Sequence, residues 1–304
     1  MHYAKIQNLI SLSLIVVVGL AVLTFTACNQ GEAPAPGEPS GDSGETTSLT
    51  IKGSDTMVHL ASTWAEEFMK ANPNIEVSVT GGGSGTGIAA LLNGTTDICA
   101  ASRKMKQKEY DLAKEKDIEA VEHVVARDGI AVVVNPGNEI DSLTQEQIGK
   151  IYTGAITNWN QVGGPDQEIV VLSRESSSGT YVFFQEHVLN KENYTKDALL
   201  MPATSAVIQT VADDAGAIGY VGLGYAVEAG DKIKMLGVQA TADAPVVTPS
   251  EATVDTGEYS IARPLHLYTT GKPEGNVDTF LKFVMSKEGQ DIVRETGYVP
   301  VAGE

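Results

Sequence analysis

The stretch VLSRESSSGTYVFFQEHVL, residues 171–189, joins an apolar strand pattern to an amphipathic helix pattern through a turn rich in hydroxyl groups. Arg174 precedes three serines in this turn, and Gly179 and Thr180 follow them. The first N–H groups of a helix have no acceptor within the helix, and the helix dipole adds partial positive charge there. The stretch therefore has the composition of an anion site, although a lone serine before a helix is more often an N-cap.

Two further turns share this design of strand, polar turn and helix. They are GSDT at residues 53–56 and GGGSGTG at residues 81–87. Each could be an ordinary cap or a flexible turn when it is taken alone. Three donor-rich turns in one chain favour convergence on a single oxyanion, to which Arg174 would bring a full positive charge.

Composition limits the classes of partner. The chain has 304 residues, 42% of them hydrophobic, and a formal net charge of -18. That charge argues against nucleic acid and against an anionic membrane surface as partners of the folded part. The length favours two lobes over one compact core. Any anion must be bound by a local arrangement of donors, against the overall field.

The N-terminal region has the pattern of an export signal. Lys5 precedes the nearly uncharged run LISLSLIVVVGLAVLTFTAC, which ends at Cys28. A membrane anchor of about 20 apolar residues is the alternative. The small residues before Cys28 resemble a bacterial lipobox, with Phe25 where that motif usually has leucine. We expect a signal peptide over residues 1–27, lipidation of Cys28, and a solvated Pro-, Gly- and Ser-rich tether over residues 28–48.

Strand and helix patterns alternate from Leu49 onward. IEVSVT, EIVVLSR and GAIGYVG read as strands, whereas TQEQIGKIY and AVIQTVADD read as amphipathic helices. This alternation predicts an α/β protein with largely parallel sheets.

Other chemistries find little support in the residues. GTGIAA, residues 85–90, fits a short dinucleotide fingerprint, but no acid about 20 residues further on ends a second strand. A serine hydrolase using Ser178 would need a nearby base, and His187 lies too far along the predicted helix. Cysteine and histidine residues show no metal-ligand spacing. We therefore expect a binding protein that is not an enzyme, with no metal and no cofactor.

Eight segments, taken in order, resemble one family. They are GSDT, GGGSGTGI, DICAASRKM, ITNWNQVGG, SRESSSGTY, GAIGYVG, ARPLHLYT and FVMSKEGQDIVRETGYVP. Together they are similar to the PstS-like phosphate-binding receptors of bacterial high-affinity phosphate ABC transporters. The likeness extends over nearly all of residues 49–301.

The resemblance implies a two-lobed periplasmic-binding-protein fold of the type II-like kind, with two mostly parallel sheets, flanking helices and a ligand cleft between the lobes. It further implies a monomer that delivers inorganic phosphate to a membrane permease. The phosphate-binding residues implied in this way are Ser54, Thr56, Met57, Ser84, Ser102, Arg174, Ser178, Gly179 and Thr180.

One position departs from the family pattern. Arg103 follows Ala101-Ser102, where members of the family carry an aspartate that accepts the proton of hydrogen phosphate. Arg103 is either a second cationic ligand or turns outward with Lys104. Asp55 and Asp97 are then the candidate proton acceptors. An acceptor matters because sulfate has no proton to offer at neutral pH, so a buried carboxylate repels it.

We expect the chain to cross between lobes twice, near GIAVVVN and near ARPLHLY. Residues 49–131 and 261–304 would form lobe one, and residues 132–260 lobe two. The hypothesis is an exported, lipid-anchored phosphate receptor at the outer face of the cell membrane. A receptor for sulfate, molybdate or tungstate, a secreted phosphatase using Ser178, and a lipoprotein that senses occupancy are the alternatives.

Overall fold

The computed structural model of the protein describes residues 46–301. The predicted signal peptide, Cys28 and almost all of the predicted tether lie outside this part. Among the described helices, none combines the length and the apolar character needed to cross a membrane. The first strand begins at Thr47, so the predicted tether is two residues too long at its end: residues 47 and 48 already pair with a neighbouring strand.

Eleven strands and ten α-helices alternate along the described chain. The strands are β1 (Thr47–Gly53), β2 (Ile75–Thr80), β3 (Ile98–Ala101), β4 (Ala120–Val134), β5 (Ser142–Thr144), β6 (Val170–Arg174), β7 (Leu199–Met201), β8 (Ala217–Gly222), β9 (Lys234–Met235), β10 (Gly237–Gln239) and β11 (Ala262–Thr270). The helices are α1 (Val58–Ala71), α2 (Ser84–Leu92), α3 (Gln107–Glu115), α4 (Gln145–Tyr152), α5 (Gly179–His187), α6 (Thr204–Asp213), α7 (Leu223–Ala229), α8 (Glu251–Asp255), α9 (Gly275–Met285) and α10 (Lys287–Glu295). Short 3-10 helices lie at Asp55–Met57, Trp159–Val162 and Gly230–Lys232.

Most strands join one hydrogen-bonded path, in the order β2-β1-β3-β11-β4-β8-β6-β7. We call the part with β1, β2, β3 and β11 the first half of the sheet, and the part with β6, β7 and β8 the second half. Pairing is parallel at both outer parts, whereas β11 and β4 are antiparallel to their neighbours. The α/β class is therefore confirmed, with the two predicted sheets joined in the middle.

The join is the long strand β4. The stretch IEAVEHVVARDGIAVVVN, residues 118–135, contains two apolar runs, and both belong to this one strand of 15 residues. Its first part pairs with β11 as far as Gly129, and its last part pairs with β8 from Ile130 onward. Residues 130–134 are fully buried, since helices cover both faces of the sheet there. The switch of partner lies where the sequence predicts the first crossing between lobes.

Each half has its own core. In the first half, Trp64 and Phe68 of α1 pack with Phe280 of α9. In the second half, Tyr152 and Phe184 pack with other apolar side chains from β4, β6 and β8. These cores hold the ends of the strands in fixed positions, and the polar turns predicted from the sequence follow those ends.

Candidate functional site

The structure brings the three predicted turns together. The hydroxyl oxygens of Thr56, just before α1, and Thr180, in the first turn of α5, lie 2.8 Å apart. The backbone N–H of Gly85 in α2 donates to the carbonyl of Ser177 at 2.9 Å. Helix N-terminal regions from both halves of the sheet therefore meet at one point.

Serines of the first half complete this group. Ser54 Oγ donates to Ser102 Oγ at 2.9 Å, and Ser84 Oγ lies 3.3 Å from the same oxygen. The backbone N–H of Ser102 also donates to Ser84 Oγ at 3.0 Å. We call the five side chains Ser54, Thr56, Ser84, Ser102 and Thr180 the hydroxyl cluster, and all of them are buried. A buried hydroxyl needs a hydrogen-bond partner, and here the hydroxyls serve as partners for one another.

Glycine at two positions permits this close approach. A Cβ atom at Gly179 would overlap Ser84 Oγ and lie 2.6 Å from Ser102 Oγ. Gly83 has a φ of +99°, and a Cβ atom there would lie 2.6 Å from the carbonyl oxygen of Ser177. The backbones of α2 and α5 can touch only because neither glycine carries a side chain.

Two of the predicted binding residues already have local partners. Ser178 caps α5, since its Oγ accepts the N–H of Tyr181 at 3.3 Å. Its hydroxyl proton can still be donated elsewhere. The N–H of Met57, predicted as a ligand donor, instead donates to the carbonyl of Ser54 at 3.0 Å. Ser178 is therefore both a cap and an available donor, while the Met57 amide is occupied within its own turn.

Arg174 ends β6 and holds the two halves together. Its Nη2 donates to Asp55 Oδ2 at 3.1 Å, and its Nη1 donates to Thr204 Oγ1 at 2.8 Å. Carbonyl groups of Met201 and Pro202 accept two further N–H bonds. Burial lowers the pKa of Arg174, which the nearby Asp55 carboxylate opposes. Arg174 is thus a buried cation whose position is fixed by partners beside the cluster.

Asp55 Oδ2 accepts hydrogen bonds from Arg174 Nη2 and from the N–H and hydroxyl groups of Thr204, at 2.7 and 3.0 Å for Thr204. Asp97, the other predicted proton acceptor, lies before the opposite end of β3 from Ser102. It is exposed and binds the backbone N–H and hydroxyl of Thr50 at 2.7 and 2.8 Å. Asp97 is therefore too distant from the cluster to accept a hydrogen bond from the proton of an anion bound there.

Of the two predicted positions of Arg103, the outward one is wrong, and its side chain pairs with a carboxylate beside the cluster. Its side chain is 7% exposed, so it does not turn outward with Lys104. Its two terminal nitrogens each donate to Glu109 of α3 at 2.8 Å, and Nη1 also donates to the carbonyl of Lys104. Burial alone would raise the pKa of Glu109, but the hydrogen bonds from Arg103 and from the backbone N–H of Lys106, together with the positive charges of both residues, outweigh burial and lower that pKa. The sequence offered no signal for this local pairing.

A buried ion pair behind the cluster was missed in the sequence. Arg263 of β11 donates from Nε and Nη2 to Asp128 Oδ2 of β4, at 3.2 and 2.9 Å. Burial raises the pKa of Asp128, and the adjacent Arg263 guanidinium opposes that shift. The available signal was weak: Asp128 and Arg263 are charged residues beside apolar strand residues, and a charge that is buried in such a strand requires a partner.

The Arg103–Glu109 pair predicts a pH-dependent part of the stability. Glu109→Gln should lower the free energy of unfolding by about 2 kcal/mol at neutral pH, because a charge-assisted pair is lost. The pKa of Glu109 is depressed in the folded state, so its contribution is present above its ordinary value of 4.5 and disappears as the pH falls below that. The measurement is urea denaturation of both proteins over a pH series.

Glu115→Gln is the matched control, because Glu115 is an exposed residue of the same helix. Its effect should stay within about 0.5 kcal/mol at every pH. An unchanged gap between Glu109→Gln and the parent protein in acid would contradict this assignment.

Comparison with known proteins agrees with this architecture. The family model described as PBP superfamily domain matches residues 38–288. The phosphate-binding protein PstS of Bacillus subtilis (strain 168) is 34% identical over 298 residues, which cover 95% of this chain and 94% of that protein. PstS of Pseudomonas aeruginosa (strain UCBPP-PA14) is 31% identical over 306 residues, covering 93% and 94%.

Solved structures show the same relationship. One is a Clostridium perfringens substrate-binding protein assigned to a phosphate ABC transporter and solved with bound phosphate. It has a TM-score of 0.76 and 31% identity, and the alignment covers 84% of this chain and all of that one. An ABC-type phosphate transport receptor from Vibrio cholerae has a TM-score of 0.67 and 28% identity, with coverage of 84% and 100%. The chain therefore belongs to the PBP superfamily and, within it, to the family of PstS phosphate-binding proteins.

Proposed function

We propose that this protein binds inorganic phosphate reversibly between the two halves of the sheet and delivers it to the permease of an ABC transporter. The observation that carries the proposal is the hydroxyl cluster, in which Thr56 of the first half contacts Thr180 of the second at 2.8 Å. The family to which the chain belongs, whose named relatives bind phosphate, supports the same ligand.

The cluster has the chemistry that a small tetrahedral oxyanion requires. Its side chains are hydroxyl groups that rotate to donate a proton, and two helix N-terminal regions add backbone donors and partial positive charge. Arg174 adds a guanidinium beside the cluster. We assign Ser54, Thr56, Ser84, Ser102, Ser178, Gly179 and Thr180 as ligand contacts, with Arg174 as the adjacent cation. Donors from both halves then favour a closed form when the anion is bound.

Selection of phosphate over sulfate requires an acceptor for the proton of hydrogen phosphate. Asp55 is the acid that we propose for this role, because it precedes Thr56 in the same turn and forms an ion pair with Arg174. Its side chain is 19% exposed, so the carboxylate is not sealed in the interior. A carboxylate in that position accepts a hydrogen bond from the P–OH group of hydrogen phosphate and repels an oxyanion that carries no proton.

We propose lobe one as residues 49–131 with 261–304, and lobe two as residues 132–260, with β4 and β11 as the connecting strands. Lipidation of Cys28 and the tether after it would hold a monomer at the outer face of the cell membrane, within reach of the permease. The absence of a turnover step follows from this role, because the ligand leaves chemically unchanged.

Calorimetric titration with phosphate tests the ligand and the role of Arg174. The parent protein should bind phosphate, and Arg174→Ala should weaken binding at least about 10- to 100-fold, because a charge-assisted donor is lost. Arg294→Ala is the control, since Arg294 is an exposed arginine paired with Glu251 on the surface. A parent protein that gives no heat with phosphate, or Arg174→Ala with parent affinity, would refute the proposal.

The role of Asp55 is tested by the ratio of two affinities. Asp55→Asn should reduce the preference for phosphate over sulfate by about tenfold, because the amide no longer repels the ion without a proton. The ratio is informative even if both affinities fall through loss of the contact with Arg174. An unchanged ratio of phosphate to sulfate affinity in a folded Asp55→Asn protein would mean that another group accepts the hydrogen bond from hydrogen phosphate.

The contact of α2 with α5 predicts the effect of one methyl group. Gly179→Ala should weaken phosphate binding about tenfold or more, because the added Cβ atom would overlap Ser84 Oγ and hold the two helix ends apart. Gly163→Ala serves as the control, since a Cβ atom there meets no heavy atom within 4 Å, although its φ of +93° costs some stability. Equal phosphate affinities in the two variants would show that close approach at Gly179 is not needed.

A further inference from the structure

Asp128 and Arg263 form an ion pair at the point where the two halves of the sheet join. The residues lie directly opposite each other in the pairing of β4 with β11, next to the pair Gly129 and Ala262. Their side chains are 0% and 1% exposed. Asp128 Oδ1 also accepts the backbone N–H of Leu223 at 3.0 Å. A buried charge needs full compensation, and Asp128 provides it while fixing the orientation of the guanidinium.

The N–H groups of Arg263 that face away from Asp128 reach into the proposed binding site. Nη1 donates to the backbone carbonyl of Ser102 at 2.9 Å, and Nη2 donates to Thr180 Oγ1 at 2.9 Å. Thr180 Oγ1 is the same oxygen that lies 2.8 Å from Thr56 Oγ1. Arg263 therefore contacts one residue of each half at the centre of the hydroxyl cluster.

The other two buried arginines of this region differ in this respect. Within residues 46–301, Arg174 donates to Asp55, Thr204 and two backbone carbonyls, and to no hydroxyl of the cluster. Arg103 donates to Glu109 and to the carbonyl of Lys104. Among the three, Arg263 is the arginine that the structure places in hydrogen-bond contact with a cluster hydroxyl.

We propose that Arg263 is a cationic ligand of the bound oxyanion, held in place by Asp128. The inference rests on the proposed function and adds a second guanidinium to it. Nη1 carries two hydrogens and donates one of them to Ser102, so the other remains available, and the Nη2 bond to Thr180 can be exchanged for a bond to the ligand. Since Arg263 contacts Ser102 of the first half and Thr180 of the second, an anion bound to it also stabilises the approach of the two halves.

The test removes the guanidinium without leaving an unpaired buried charge. The double variant Asp128→Asn/Arg263→Met is neutral at both positions, and calorimetry should show phosphate binding that is about 10- to 100-fold weaker than in the parent protein. Arg263→Lys keeps the charge and can still pair with Asp128. It should bind more tightly than the double variant but more weakly than the parent, because an ammonium group lacks the planar fork.

The matched control is the double variant Arg103→Met/Glu109→Gln, which neutralises the neighbouring buried pair that does not contact a cluster hydroxyl. Its phosphate affinity should stay within about threefold of the parent. Parent affinity in either folded Arg263 variant would overturn the inference, and so would an equal loss in the control. A parent protein that does not bind phosphate would instead overturn the proposed function itself, so the two failures are distinguishable.

Discussion

The hydrogen bond between Thr56 and Thr180 joins two helix N-terminal regions that repel each other when they stand alone. Each region has N–H groups without acceptors in its helix and carries partial positive charge. Their apposition in a buried place is favourable only when oxygen atoms lie between them. In this protein hydroxyl groups supply those oxygens at the point of contact. The four oxygens of an oxyanion satisfy the same donors and add the negative charge that hydroxyl groups lack.

The sequence was informative where a turn, a cap or a period determines local structure. It predicted the helix that starts after Ser178, the strand that ends at Arg174, and the proximity of three donor-rich turns. It failed where a specific pair of side chains determines the structure. The side chain of Arg103 is oriented by Glu109, six residues further on and across a turn. No periodic sequence pattern predicts this two-point contact between guanidinium and carboxylate.

Arg263 escaped detection for a related reason. It lies in ARPLHLYT, which reads as a strand, and a single charge at a strand edge is usually solvated. Only the register of β11 against β4 brings it opposite Asp128, at a separation of 135 residues along the chain. Asp97 shows the converse error: it lies close to Ser102 in sequence, but the four residues of β3 separate the two in space. Closeness in sequence therefore predicts which residues lie together in a turn. It does not predict proximity in space for residues at opposite ends of a strand.

The balance of formal charge around the cluster explains how a strongly acidic protein can hold an anion. Arg174, Arg263 and Arg103 each have a carboxylate partner, namely Asp55, Asp128 and Glu109. The three pairs contribute no net charge, so they neither oppose the field of the whole chain nor attract every anion indiscriminately. The charge of the ligand is then balanced at short range by the guanidinium groups of Arg174 and Arg263 together with oriented dipoles: hydroxyl groups, backbone N–H groups and helix ends. Such dipoles act over a short range, and they stabilise a bound ion only when its oxygens fit between both halves of the sheet. Recognition on this basis depends on geometry, which is why the glycine contacts at the helix ends matter as much as the arginines.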